Sequence, residues 1–309
     1  MIAYLIKRFG RAALTIFGVV TLVFLLIRLI PGDPVEAILG DDASPEDRQA
    51  MRSALALDRP FAQQYVTFLG TIANGTLGHS FRHPSASVTS LITDVLTPTV
   101  LLAISALLLA WLIAIPLGIF AATRHNTPWD QAASTLAVAG LAIPNIWLGP
   151  LLILLFGVTL RWLPLPGDDP TRLNALILPS LTIGTALAAS LFRHTRSVMI
   201  EVLKQQYILA AKARGVPTSR VLFQHSLRNA LLPIMTVGAA QLGALLSGTV
   251  IAEKIFERPG LGTLFLEAFF ARDIPIIQGC VLVVAVVYVS INLAVDLLYG
   301  VVDPRVRLS

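Results

Sequence analysis

Six runs of apolar residues, each about twenty residues long, decide what this chain can fold into. They cover approximately Phe9–Ile30, Thr99–Ala122, Ser134–Leu160, Asn174–Phe192, Pro233–Ala252 and Ile276–Leu298. Roughly 20 residues of helix cross a hydrocarbon core about 30 Å thick, and in lipid every backbone polar group must find its partner within the chain. The runs therefore predict an all-α polytopic membrane protein with six transmembrane helices. Composition agrees: 55% of residues are hydrophobic and 13% charged, where a soluble domain carries about a quarter charged. Pro116, Pro144 and Pro150 fall inside expected spans, which is tolerated when neighbouring groups re-satisfy the backbone. The first run follows Lys7, Arg8 and Arg11, is long enough to span and has no small-residue cleavage site, so it reads as a retained helix.

The placement of Lys and Arg orients the chain. With both termini cytoplasmic, the cytoplasmic side holds 13 of the 23 basic residues but only four of the 18 acids, Asp130, Glu201, Asp296 and Asp303. Seven of those basic residues lie in the short segment 193–232. The net charge of +5 is therefore topology, and it does not call for a nucleic-acid partner. Residues 1–98 form a first transmembrane helix plus an external segment, with "PGDP" at 31–34 and an acidic run at Asp41–Asp47. Apolar positions in that segment are too few for an independent core, so helices lying on the membrane domain are expected. Residues 99–309 form the core domain, with five spans and the basic cytoplasmic loop 193–232. Trp162 stands where an interfacial anchor would.

Much chemistry has no sequence support. There is no G-x-x-x-x-G-K-[ST] phosphate loop, so ATP is not bound that way and the chain is not expected to be an enzyme. The histidines, His79, His83, His125, His194 and His225, lie outside the expected spans without metal-ligand spacing. No catalytic or metal residues are assigned. Ser247 lies in a span, but no intramembrane His or Lys stands ready to activate it. Cys280, the lone cysteine, has no partner for an intramolecular disulfide. Asp296 is the one ionisable group well within a span; it reads as a group paired near a helix end, with a proton or substrate role as the alternative.

The basic loop carries the most specific pattern. Residues Glu201–Arg214 are Ala-rich and read as a helix, with Lys212 and Arg214 in its last turn to suit the negative end of the dipole. Gly215 stands where a left-handed residue closes a helix, and Pro217 follows as a stop. Thr218 or Ser219 is expected to cap a second helix, with Phe223, Leu227, Ala230 and Leu231 as its apolar stripe. Pro233 is expected to open the fifth span. Two short helices at a fixed Gly/Pro corner suit a docking element for a cytosolic partner; a plain connector held to the membrane surface by its charges is the other reading.

The stretch "LAAKARGVPTSRVLFQHSLRNALLP", 209–233, resembles the cytoplasmic loop of ABC importer permeases. The long gap from Gly215 to Pro233 resembles the dipeptide/oligopeptide (peptide/nickel) branch. So do "LIPGDPV" at 29–35, "LALDRPFAQQY" at 55–65, "EKIFERPGLGTL" at 253–264, "RDIPIIQG" at 272–279 and "VDLLYGVVDPRVR" at 295–307. Two positions depart from the pattern: Leu209 replaces the usual acid, and "NGTLG" at 74–78 lacks an Asp.

The resemblance implies an ABC importer type I permease fold in the bacterial cytoplasmic (inner) membrane. It further implies a homologous second permease, two cytosolic ATP-binding subunits that use ATP and Mg, and an extracytoplasmic solute-binding protein, with lipid around the whole. No cofactor is expected on this chain. Di- or oligopeptides are the expected substrates; nickel chelates, metallophores and glutathione share the subunit pattern. A scaffold or sensor that binds an ATPase without transport is the alternative from another class. Contact with the ATPase is expected from Tyr207, Leu209, Ala210, Ala211, Lys212, Ala213, Arg214, Gly215, Val216, Pro217 and Arg220. Asn145, Gln241, Ser247 and Asn292 are candidates for lining the path, because a peptide in transit needs hydrogen-bond partners; each could instead glue helices together.

Overall fold

The computed structural model describes residues 2–29, 34–39, 43–54, 57–167 and 172–302. The expectations for Pro31–Asp33 and for Asp303, Arg305 and Arg307 fall outside these residues, as do the side chains of Ser247 and Asp296. Regular structure among the described residues is helical, apart from one isolated antiparallel bridge between His79 and Ser87. The helices are α1 (Ile2–Leu29), α2 (Pro34–Leu39), α3 (Pro45–Ala54), α4 (Phe61–Ala73), α5 (Val88–Thr123), α6 (Pro128–Ala142) and α7 (Asn145–Leu152). They continue as α8 (Ile177–Leu203), α9 (Gln206–Ala213), α10 (Thr218–Arg220), α11 (Arg228–Ile255), α12 (Leu261–Phe270) and α13 (Ile274–Val302). Helix α7 runs on as a π-helix, Ile153–Thr159, and a second π-helix, Val221–Leu227, joins α10 to α11.

The chain packs as two compact units. One comprises residues 1–99 and 259–290, the other residues 100–258 and 291–309. In the first, Val23, Val88, Ile92, Leu261, Ala268, Ile276, Ile277 and Cys280 form a buried cluster. Helix α4 is fastened to α1 by aromatic packing: Phe24 has the rings of Phe61, Tyr65 and Phe68 at 5.2, 5.0 and 5.4 Å. The Thr21 and Tyr65 hydroxyls share a 2.7 Å hydrogen bond. Backbone N–H of Leu261, at the start of α12, donates to Thr99 Oγ1 at 2.8 Å and so satisfies one orphan donor.

The second unit is built on small residues. Ala110, Ala114, Ala121, Ala122, Ala188 and Ala230 are buried together with Leu191, Phe192, Met199 and Ile234. Small side chains let α5, α8 and α11 approach closely, the packing that holds membrane helices together where burial in lipid offers no hydrophobic gain. Contact is close at Gly238, where an added Cβ would run into the Trp111 ring, and at Gly118, where it would lie 2.8 Å from Cβ and Cγ2 of Thr195.

Helix α1 over 6–25, α5, the segment 173–203 and α13 over 274–295 are each long and apolar enough to cross a membrane. The third expected span is not one helix: α6 and the α7 segment meet at a 99° bend. Pro144 is the cause, because a proline disfavours helical backbone in the residue before it; Ile143 is extended at φ −81°, ψ 116°. Counted as one span, the bent pair makes a fifth candidate. Helix α11 is the remaining expected span, and its 28 residues exceed the roughly 20 that a bilayer needs. Pro233 lies inside it rather than opening it.

Candidate functional site

The corner at Gly215 forms as its residue types dictate. Gly215 has φ +75°, the left-handed region that costs glycine little. Backbone N–H of Val216 donates to Ala211 O at 3.2 Å, and that of Gly215 to Lys212 O at 3.0 Å. This pair of bonds is the Schellman closure of a helix, and it satisfies carbonyls that α9 would otherwise leave open. Its apolar contact is present too: Val216 packs against the buried cluster of Ile208, Ala211 and Val221. Pro217 then turns the chain at φ −54°, ψ 140° into α10.

Among the residues named for the corner, Ala211 lies inside, 7% exposed beside the fully buried Ile208, and Val216 is half-buried. Tyr207, Leu209, Ala210, Lys212, Ala213, Arg214, Gly215, Pro217 and Arg220 are exposed. Leu209, at the position of the usual acid, is 55% exposed and Phe223 is 58% exposed. The corner is tied back to α11 by Asn229 Nδ2, which donates to Tyr207 Oη at 2.8 Å and to His225 O at 3.0 Å.

Four local expectations are corrected. The first helix does not begin at Glu201: α8 runs on to Leu203, and Gln205 is extended at φ −66°, ψ 145° before α9 starts. Neither Thr218 nor Ser219 is the cap; Pro217 holds that position without a side-chain bond. The second helix is not separate from the fifth span, because the π-helix carries α10 directly into α11. Its buried face is Val221, Ser226, Ala230 and Ile234; of the expected stripe, Ala230 is buried and Leu227 packs on the core, whereas Phe223 and Leu231 are exposed. A π-turn bonds i to i+5, so the first step along that face is five residues and the next two are four. Ser226 Oγ donates to Val221 O across the same turn at 3.0 Å.

A second constellation in this unit lies far apart in sequence. Asp130, 2% exposed, sits in the first turn of α6. Its Oδ1 accepts from Arg196 Nε at 2.5 Å, and its Oδ2 from Arg196 Nη2 at 2.7 Å and from Asn126 N at 2.9 Å. His125 Nδ1 lies 3.3 Å from both Asp130 Oδ2 and Arg196 Nη2. The guanidinium fork meets both carboxylate oxygens, the geometry that makes Arg pairs specific. Nothing in the local sequence marks this pair, since its members are 66 residues apart.

In the first unit Asp273, 2% exposed, accepts from Ser80 Oγ at 2.5 Å, Phe81 N at 3.2 Å and Arg82 N at 3.3 Å. Arg82 Nε donates to Ala271 O at 3.2 Å. These bonds pin the loop after Gly78 to the corner between α12 and α13. In the second unit, three residues past the end of α11, burial pushes the Arg258 guanidinium below its usual range, opposed by the charge of Glu253.

Gln241 is 8% exposed and its Nε2 donates to Leu187 O on α8 at 3.2 Å. Asn145 is half-buried at the start of α7, and Asn292 is exposed on α13.

Among the described residues the chain is helical, with at least four helices long and apolar enough to cross a membrane. It matches a chain of the MetNI methionine ABC transporter with TM-score 0.58 and 17% identity, over 69% of this chain and 96% of that one, which bears on fold alone. Residues 114–308 match the family described as binding-protein-dependent transport system inner membrane component, and residues 1–103 match its N-terminal membrane component. The chain is 36% identical to the di/tripeptide transport system permease protein DppB of Pseudomonas aeruginosa, over 99% of each. Its identity is 38% to the oligopeptide transport system permease protein AppB of Bacillus subtilis, over 99% of this chain and 100% of that one. The glutathione transport system permease protein GsiC of Escherichia coli K12 is also 38% identical, over 99% of each. The chain belongs to the family of binding-protein-dependent transport system membrane components.

Proposed function

We propose that this chain is one permease subunit of an ATP-driven importer in the bacterial cytoplasmic membrane, and that it carries di- or oligopeptides. A homologous permease completes the path, two cytosolic subunits hydrolyse ATP with Mg, and an extracytoplasmic binding protein delivers the solute. This chain binds no nucleotide itself. Glutathione, a tripeptide, is the second reading, favoured by the match to a glutathione permease.

The observation that carries the reading is the corner at Gly215. Its inner residues are locked by the Schellman bonds and the Ile208–Val221 cluster, while its outer face is exposed and basic. Such a corner transmits a push without deforming. Residues 206–220 are the surface that meets the ATPase. Leu209 offers that partner an apolar side chain where an acid is usual. A cysteine at Ala213 should crosslink to the ATPase in the assembled importer; no crosslink in an intact complex would sink the docking role. Gly215→Val should leave the complex inserted and its ATPase active while uptake of a labelled tripeptide falls at least tenfold. Normal uptake would count against the corner.

A further inference from the structure

We infer that Asp130 and Arg196 are positioning residues for coupling: they join the root of the Gly215 corner to the turn between α5 and α6, so that a displacement of the corner reaches three helices together. The inference rests on the docking role proposed above. Arg196 lies on α8, which ends at Leu203; Lys204 and Gln205 alone separate it from α9. Asp130 belongs to α6, and the backbone it holds at Asn126 belongs to the turn after α5. That turn is itself tightly set. Asn126 has φ +64°, a left-handed conformation that Asn tolerates better than most residues. Thr127 Oγ1 donates to Arg124 O at 2.6 Å, and the Arg124 guanidinium stacks over Phe120 at 4.0 Å.

One carboxylate thus bonds the turn, places its charge in the first turn of α6 at the positive end of that helix, and grips α8 through a two-bond fork. Next to it, Gly118 on α5 meets Thr195 with no room for a methyl group, and Thr195 is fully buried. Two neighbouring residues of α8, 195 and 196, therefore bind α5 by close packing and α6 by charge. Close packing resists compression but not sliding or separation. The fork resists both, because its two bonds fix distance and angle. The pair adds directional grip where packing gives only contact. Its position, within two turns of the end of α8, is where a push from the corner arrives first.

The test uses the assembled importer with spin labels at Thr123→Cys and at Gln224→Cys, on the π-helix that leaves the corner, both exposed positions outside the fork and outside the surface placed against the ATPase. Cys280, the lone native thiol, is buried and stays unlabelled. Distances are read in the nucleotide-free and vanadate-trapped states. The unaltered pair should give one narrow distribution, the same in both states, because turn and corner travel together. Arg196→Gln should at least double its width or make it shift with nucleotide, and Arg196→Lys, which keeps the charge without the fork, should fall between. A distance that changes with nucleotide while the pair is intact, or a distribution that Arg196→Gln leaves narrow, would overturn the proposal. If Arg196→Gln fails to assemble, Arg196→Lys decides by the same criterion. A cysteine crosslink from Ala210 to the ATPase, run in parallel, reports docking alone: its loss in the unaltered complex refutes the docking role, whereas its persistence with uncorrelated labels refutes only the positioning role.

Discussion

Asp130 and Asp273 are both almost fully buried, yet they are held by opposite means. Asp130 faces a guanidinium that supplies two of its bonds. Asp273 is held by one hydroxyl and two backbone N–H groups, and no ion pair to it is found among the described residues. The difference teaches what each site can withstand. A carboxylate held by neutral donors fixes a loop, and when it is lost the loop's backbone can turn to water. A carboxylate that balances a charge cannot be lost without stranding that charge.

The comparison breaks most directly by truncation. Asp130→Ala should cost about 2–3 kcal/mol, the worth of hydrogen bonds to a charged group, because Arg196 keeps 26% of its side chain exposed to water. Asp273→Ala should cost about 1–3 kcal/mol, the desolvation of donors left unmade. Thermal unfolding of the purified protein in detergent ranks them; equal losses would mean that the kind of donor does not matter. Gly118→Ala sharpens the Asp130 side by attacking its packing and leaving its charge. The added methyl meets Thr195 at 2.8 Å, so about 1–3 kcal/mol of overpacking is expected in the same assay. Gly215→Ala isolates backbone alone, because nothing lies within 4 Å of the added Cβ; the left-handed conformation should cost about 1–2 kcal/mol. Leu209→Ala should change stability by less than about 0.5 kcal/mol, since the side chain is 55% exposed, while weakening retention of the ATPase subunit on purification. A large stability loss there would show that Leu209 is structural.

The parts of this molecule that sequence reveals are those fixed by neighbouring residues. Ala210 to Pro217 specify their corner locally, and Gly215 has the expected left-handed φ. The apolar runs specify spans because lipid leaves the backbone no alternative to helix. Three features were hidden for physical reasons. Lys204 and Gln205 contain no helix breaker, so the pause before α9 is invisible in composition. The π-turn shifts a periodicity by one residue, and the apolar stripe drawn at regular α spacing therefore runs through exposed Phe223 and Leu231. Arg196 resembles any other basic residue of its loop until folding brings Asp130 to it. The bend at Pro144 was half legible: proline in a span is visible, but kink and break differ only in whether Ile143 stays helical.

The π-turn at Val221–Leu227 has a consequence for chain length. Its buried positions, 221, 226, 230 and 234, would be spaced by four throughout if one residue between the first two were deleted. The shortened chain would then run as ordinary α-helix, with the same face inward and the Gly215 corner still aimed the same way. The turn is therefore a stored insertion. Removing that one residue would shorten the chain beside the corner without rotating it.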